Sequence, residues 1–282
     1  MASALLALSS TVAGSSPQVA PESWSAYFPR DIGTSCGTTL PAQSSTVDSN
    51  VTTTNGSIVS KLISVRTTSN GTIFTFRATL KVRETESNSE TPPFAPITST
   101  QTLEYVLLKN GTVEAPFQKQ VNFQDEASVR GHFLFPSIAD IKEGITETTE
   151  MHFSFSPSTP AGAADFEELT KGHVKTLIGT QDVQVSGELR KSIVTPSGTF
   201  RNVVGLRNVT KSVAIQNAVN PQIATQLDAE FLEEARESTT TIWYAPGRGT
   251  VSIWYVSPAG KRTIEDTRCT SAEGLTVSMA KR

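Results

Sequence analysis

The chain has 282 residues, a net charge of -3 from 24 basic and 27 acidic side chains, and 37% hydrophobic content. Its charges are scattered, without the positive stripe of a nucleic-acid or anionic-membrane binder, and no apolar run approaches the roughly 18 residues of a membrane-spanning helix. A chain this long fits one β-sandwich or half-barrel, or two similar β units, and buries about three quarters of its unfolded surface without a metal or disulfide framework. The Ser/Thr-rich remainder suits sheets with one wet face better than buried helices.

Met1–Ala20 opens with the apolar run Ala2–Leu8 and continues in small residues through Ser16. One reading is the apolar and cleavage regions of a secretory signal lacking its basic start, because no Lys or Arg precedes Arg30; a start further upstream would supply it. The other is a flexible Ser/Ala-rich tail. Pro17–Pro29 reads as a loop with aromatic anchors Trp24, Tyr27 and Phe28. Cys36 and Cys269 lie near opposite ends, and a bond between them would close most of the chain into one loop, worth about 5 kcal/mol in the chain-entropy model. Unpaired, they are small apolar side chains. The signal-like start favours the disulfide. A zinc site is disfavoured, since no Cys-x-x-Cys occurs and no His adjoins either cysteine.

Hairpin punctuation follows. Asn55-Gly56, Asn70-Gly71 and Asn110-Gly111 each flank β-branched or aromatic runs, and both central residues of a type I′ turn need positive φ. Three such turns predict an antiparallel meander. Glu84–Pro96 reads as a polar linker. Gly131–Gly144 contains Phe135-Pro136, which echoes Phe28-Pro29, and the strand-like Thr146–Phe155 follows it. This is either an internal duplication, with units of about 21–125 and 126–282, or chance recurrence of a dipeptide. Ser156–Ala164 has linker composition, and Asp165–Leu177 is a candidate short helix.

Thr180–Val194 and Thr199–Leu206 flank a turn at Thr195–Gly198. Asn220 as N-cap, Pro221 at the first helical position and Ile223, Leu227 and Phe231 at four-residue spacing predict a helix over about Pro221–Arg236. Ser238–Val256 then carries two Ile-Trp-Tyr triplets around Ala245–Thr250, and the core is expected to condense on this aromatic hairpin. Alternation puts Trp243 and Tyr244 on opposite faces, so each triplet splits between core and surface. A last turn at Ser257–Gly260 pairs Thr250–Val256 with Lys261–Cys269, and Ala272–Arg282 reads as a short strand with a basic end.

Three segments in this order, Tyr27–Gly33 (Tyr-Phe-Pro-x-x-x-Gly), Pro196–Phe200 (Pro-x-Gly-Thr-Phe) and Trp243–Val251 (Trp-Tyr-Ala-Pro-Gly-x-Gly-x-Val), carry a resemblance. The chain resembles uncharacterised bacterial secreted and envelope proteins whose usual pattern is YFPLxxGNxW, then PAGTF, then YAPGVGLV. Cys36 stands about where that family has its first tryptophan, and Arg248 and Thr250 replace the usual valine and leucine. The resemblance covers the first and last thirds of the chain and rests on turn and packing features. It implies export and a curved sheet distantly like lipoprotein-carrier half-barrels, with apolar-ligand binding as an expectation. It implies no reaction. Five Asn-x-Ser/Thr sequons, at Asn50, Asn55, Asn70, Asn110 and Asn208, would be glycan acceptors in a eukaryotic secreted protein; with a bacterial resemblance they are read as turns.

Catalytic signatures are absent from the sequence. His132, His152 and His173 are spread out and lack ligand spacing, although strand-borne His132 and His152 could share a site; no Gly-x-Ser-x-Gly elbow occurs. Asp228, Glu230, Glu233, Glu234 and Glu237 read as the solvated side of the predicted helix. No cofactor, metal or catalytic residue is assigned. The candidate ligand-binding residues are Trp243, Tyr244, Trp254 and Tyr255, lining a sugar or lipid groove. The sequence therefore predicts a mainly β protein, a curved antiparallel sheet or half-barrel built of hairpins with one or two short helices. Its leading function is an exported, non-catalytic bacterial protein binding an apolar or glycan ligand in its concavity. An envelope structural or interaction module is the alternative, and a hydrolase without a recognisable motif comes third. Expected partners are a lipid, a glycan or an envelope protein, not nucleic acid.

Overall fold

The computed structural model describes residues 21–47, 50–86, 97–122, 125–157, 176–217, 239–256 and 262–270, with 221, 222, 224–226, 228, 229 and 232 between them. Strands β1 (Ser35–Val47), β2 (Asn50–Thr67), β3 (Gly71–Glu86), β4 (Ile97–Leu108), β5 (Val113–Asn122) and β6 (Asp125–Phe135) lead to helix α1 (Ile138–Glu143). Strands β7 (Glu147–Pro157), β8 (Leu177–Thr195), β9 (Gly198–Ile215), β10 (Thr239–Ala245), β11 (Gly249–Val256) and β12 (Arg262–Thr270) follow. Each strand pairs antiparallel with its neighbours in sequence, and β12 returns to β1, so the sheet closes into a barrel. The predicted meander is present, and its curvature carries through to closure. The stretches expected as similar units contribute neighbouring strands to this one barrel.

Period-two alternation sorts each strand between lumen and solvent. On β3, Phe74, Phe76, Ala78 and Val82 are buried while Arg77, Lys81 and Arg83 are exposed. On β9, Val204 and Leu206 enter the core and Arg207 points out.

The two ends of the barrel differ. At one end the chain before β1 forms a plug. A 3-10 turn over Trp24–Ala26 is capped by the Ser23 side chain. Gly247 N–H donates to Ala26 C=O and Gly249 N–H to Tyr27 C=O, both at 2.7 Å, which ties the plug to the β10–β11 turn. Trp24 Nε1 donates to Pro136 C=O at 2.8 Å, fastening it to the β6–α1 junction. Helix α1 covers the same end: Ser137 and Asp140 form a capping box, and Gly144 ends the helix at φ 75°. That motif is readable in the sequence as Ser137 followed three residues later by Asp140.

Toward the other end the barrel splays along two seams. β4 and β5 pair only at Val106↔Glu114 and Leu107↔Val113. The cause is in the sequence. Leu108 N–H donates to Thr112 C=O at 2.9 Å, so every second residue of β5 from there, Glu114 and then Pro116, faces its backbone toward β4. Pro116 has no N–H to give, and the ladder stops before it. The second seam lies between β1 and β12, which pair only over Ser35–Thr38 and Thr267–Thr270. Cys36 and Cys269 face each other there as a cross-strand disulfide, with Cα atoms 4.0 Å apart and 233 residues between them in sequence. The barrel is thus a four-stranded sheet (β1–β4) and an eight-stranded sheet (β5–β12), joined at the plugged end.

Several expectations are corrected. Asn70-Gly71 and Asn110-Gly111 are turns, though not of type I′, since neither Asn70 nor Asn110 has positive φ, and Asn55-Gly56 lies inside β2, with Gly56 opposite Leu40 and Val82. There the long pairing of β2 with β1 and β3 overrides the local turn preference, and Gly56 sits beside a bulge in β1 between Leu40 and Gln43. Asn50, Asn55 and Asn208 are accordingly strand residues and not turns. β3 runs on through Glu84–Glu86, and β7 through Ser156-Pro157, both taken as linker. Leu177 opens β8 instead of ending a helix, and the rest of that proposed helix lies outside the described residues. The predicted Pro221–Arg236 helix is helical at each described position, while its stripe Ile223, Leu227 and Phe231 lies outside them. Residues 1–20, the last turn at 257–260 and the tail from 272 also lie outside.

Candidate functional site

Every inward-facing row of side chains points into the lumen, so the lumen is where a site can be built. Its plugged half is filled. Trp24 meets Tyr244 edge-on at 5.4 Å, Phe28 stacks on Phe74 at 4.8 Å, and Phe76 meets Tyr105 edge-on at 5.4 Å. Leu62, Val113, Phe135, Val185 and Leu206 complete this core. Burial pushes the Tyr27 phenol up to about 12 and raises Tyr105. Tyr244 is raised mainly by burial and further by the neighbouring Tyr105, against a smaller lowering by its hydrogen bond with Thr250.

Beyond the plug the inner wall carries an apolar row on β2 and β3. Ile58 on β2 faces the lumen between Thr38 and Leu80, its register partners on β1 and β3. Ala78, Leu80 and Val82 continue the row on β3, and Leu177 and Ile215 face them from β8 and β9. Polar side chains share this face, among them Thr38, Ser60, Thr240 and Asn208. Asn208 lies two residues after Leu206 on β9, opposite Val185 on β8 and Thr240 on β10, and therefore faces inward. Its Oδ1 is buried and has no hydrogen-bond partner. Sequence reading missed it as a site residue because its sequon drew attention to turns, although the Val204, Leu206, Asn208 alternation places it on the core face.

The four aromatic candidates do not line one groove. Tyr244 belongs to the luminal core, and Trp243 packs on the outer face of β10. There Trp243 is fully buried among Ile193, Phe200, Val203 and Val251, with half-buried Trp254 at 4.7 Å. The Arg190 guanidinium carbon sits 4.8 Å from the Trp243 ring centre and 5.6 Å from that of Trp254. Gly205, opposite Trp243, makes room for the ring: a Cβ there would come within 2.7 Å of it. Tyr255 lies on β11 opposite Thr240, and its side chain is outside the described residues.

His132 and His152 lie exposed on β6 and β7, and His152 Nε2 is 3.8 Å from the Glu150 carboxylate, itself exposed. His173 lies outside the described residues, among which no group of three His, Cys, Asp or Glu could hold a metal. Asp228 does more than solvate its helix: its carboxylate accepts from Ile215 N–H at 2.7 Å, capping the end of β9. No helix among the described residues is long and apolar enough to cross a membrane.

Together these features define, among the described residues, a twelve-stranded antiparallel barrel with one plugged end. No family model matches the chain, and no curated protein does. Two solved structures are similar to it. One is a protein inferred to be a lipoprotein, from Parabacteroides distasonis, at 12% identity over 87% of this chain and 97% of that chain, with a TM-score of 0.40. The other is a protein inferred to be exported, with a YmcC-like fold, from Bacteroides fragilis, at 10% identity over the same shares and the same TM-score of 0.40. Likenesses this distant say nothing of location or activity.

Proposed function

We propose that this protein is an exported, non-catalytic binder that takes an apolar ligand into the barrel lumen from the splayed end. The observation that carries the reading is the asymmetry of the barrel. Aromatic side chains seal one end, and beyond them Ile58 on β2 and Ala78, Leu80 and Val82 on β3 carry an apolar row toward the end where the sheets part. Apolar concavities with few polar groups are typical ligand sites. The Cys36–Cys269 disulfide supports export, since such bonds persist in oxidising compartments. The outer wall supports an aqueous location: exposed Arg77, Lys81, Glu104, Arg130 and Arg207 stand where a membrane-embedded barrel carries its apolar band.

The test is displacement of a fluorescent apolar probe, N-phenyl-1-naphthylamine, alongside native mass spectrometry of protein purified from its secreted fraction. Wild type is expected to bind the probe, and Leu80→Trp, which fills the wall beyond the plug, to lose it while keeping its circular dichroism. A protein that binds no apolar probe and carries no retained mass overturns the reading. An envelope interaction module is the second reading. It is favoured by the outer-face cluster of half-buried Trp254 and exposed Arg190.

A further inference from the structure

The inner wall holds an acceptor without a donor. Asn208 Oδ1 is buried and makes no hydrogen bond, while its ladder neighbours on the same face are Val185, fully buried, and Thr240. A buried amide oxygen left unpaired costs stability, so an unfilled one in the lumen of a binding protein is a place where a ligand can repay that cost. The same position filled by leucine, which has nearly the shape of asparagine, would continue the apolar row of Val204 and Leu206.

We propose that Asn208 is the polar anchor of the luminal site, and that the ligand is an apolar body bearing one uncharged hydrogen-bond donor, a hydroxyl or amide N–H. The donor is uncharged because neither side chain flanking Asn208 on the adjacent strands carries charge, and an unpaired ammonium would be far more costly to bury than a hydroxyl. This inference rests on the luminal-binding reading and adds the chemistry of the head group. It also explains why the ligand would settle at one depth: apolar contacts are non-directional, and a single hydrogen bond fixes position.

The experiment measures displacement of N-phenyl-1-naphthylamine by 1-dodecanol, by its methyl ether and by dodecane, on wild type and on Asn208→Leu. Wild type should prefer the alcohol to both the ether and the alkane by roughly fivefold to tenfold, the worth of one buried hydrogen bond. Asn208→Leu should lose that preference while binding dodecane within about twofold of wild type, and its ligand-free melting temperature should rise because the orphan acceptor is gone. Equal affinity of wild type for alcohol and ether overturns the proposal, and this arm needs no variant to fold. So does an alcohol preference that survives in Asn208→Leu. Failure of all three compounds to displace the probe, or failure of the probe to bind, instead removes the luminal reading beneath it.

Discussion

Tyr27, Tyr105 and Tyr244 put three phenols into the plugged half of the lumen, and burial keeps each in its neutral form. Their folded-state values lie above the ordinary 10, so the folded protein holds protons that the unfolded chain releases in alkali. Stability from this source is full below pH 10 and falls as pH rises from there, to about 12 for Tyr27. Spectrophotometric titration should therefore show these phenols ionising together with unfolding, in one steep step coincident with loss of circular dichroism. Gradual ionisation of three phenols in a still-folded protein would contradict their burial. At this scale the sequence was informative about partition and silent about destination. Alternation put Trp243 and Tyr244 on opposite faces, as expected, but not one in core and one in solvent, since both are buried. Which of the two faced the lumen depended on closure of the barrel, and Trp243 found burial on the outer face, beneath the β8–β9 hairpin.

Elements show where local chemistry decides and where pairing does. Asn70-Gly71 and Asn110-Gly111 turn because the runs on either side can pair with each other. Asn55-Gly56 does not turn, because β1 and β3 offer β2 longer partners, and this competition cannot be seen in the dipeptide. The α1 capping box was legible and passed over; the β4–β5 seam was legible too, in Pro116, once the register was known. The Gly205–Trp243 contact was not legible, since it links β9 and β10 across residues outside the described ones. It is testable by Gly205→Val, whose branched side chain must enter the space of the buried indole ring. The variant should be destabilised by about 1–3 kcal/mol in urea unfolding, the usual penalty for overpacking. A neutral result would mean that the ring moves aside freely.

At the scale of the whole molecule, two short joints hold the four-stranded and eight-stranded sheets together. The β4–β5 joint is local, made through a tight turn. The β1–β12 joint brings together distant parts of the chain, and the disulfide sits in it. Replacing both cysteines, Cys36→Ser with Cys269→Ser, should cost about 2–4 kcal/mol in urea unfolding, because the bond restrains a large loop in the unfolded chain. The loss should be matched by reducing the wild-type protein, and a double variant as stable as the oxidised wild type would show that the joint closes without its staple.

Because the first strand takes the last as its neighbour, closure is also an event in time. A chain emerging from its amino end can form β1–β2, β2–β3 and each later hairpin in turn, since every one of those pairings is between sequence neighbours. β1 alone must wait, its outer edge open, until Arg262–Thr270 has been made and delivered. A chain interrupted anywhere before that point is an open sheet with two bare edges, prone to pair with other chains. Formation of the Cys36–Cys269 bond therefore marks completion, and the moment it appears in a pulse-labelled chain is the moment the barrel has closed.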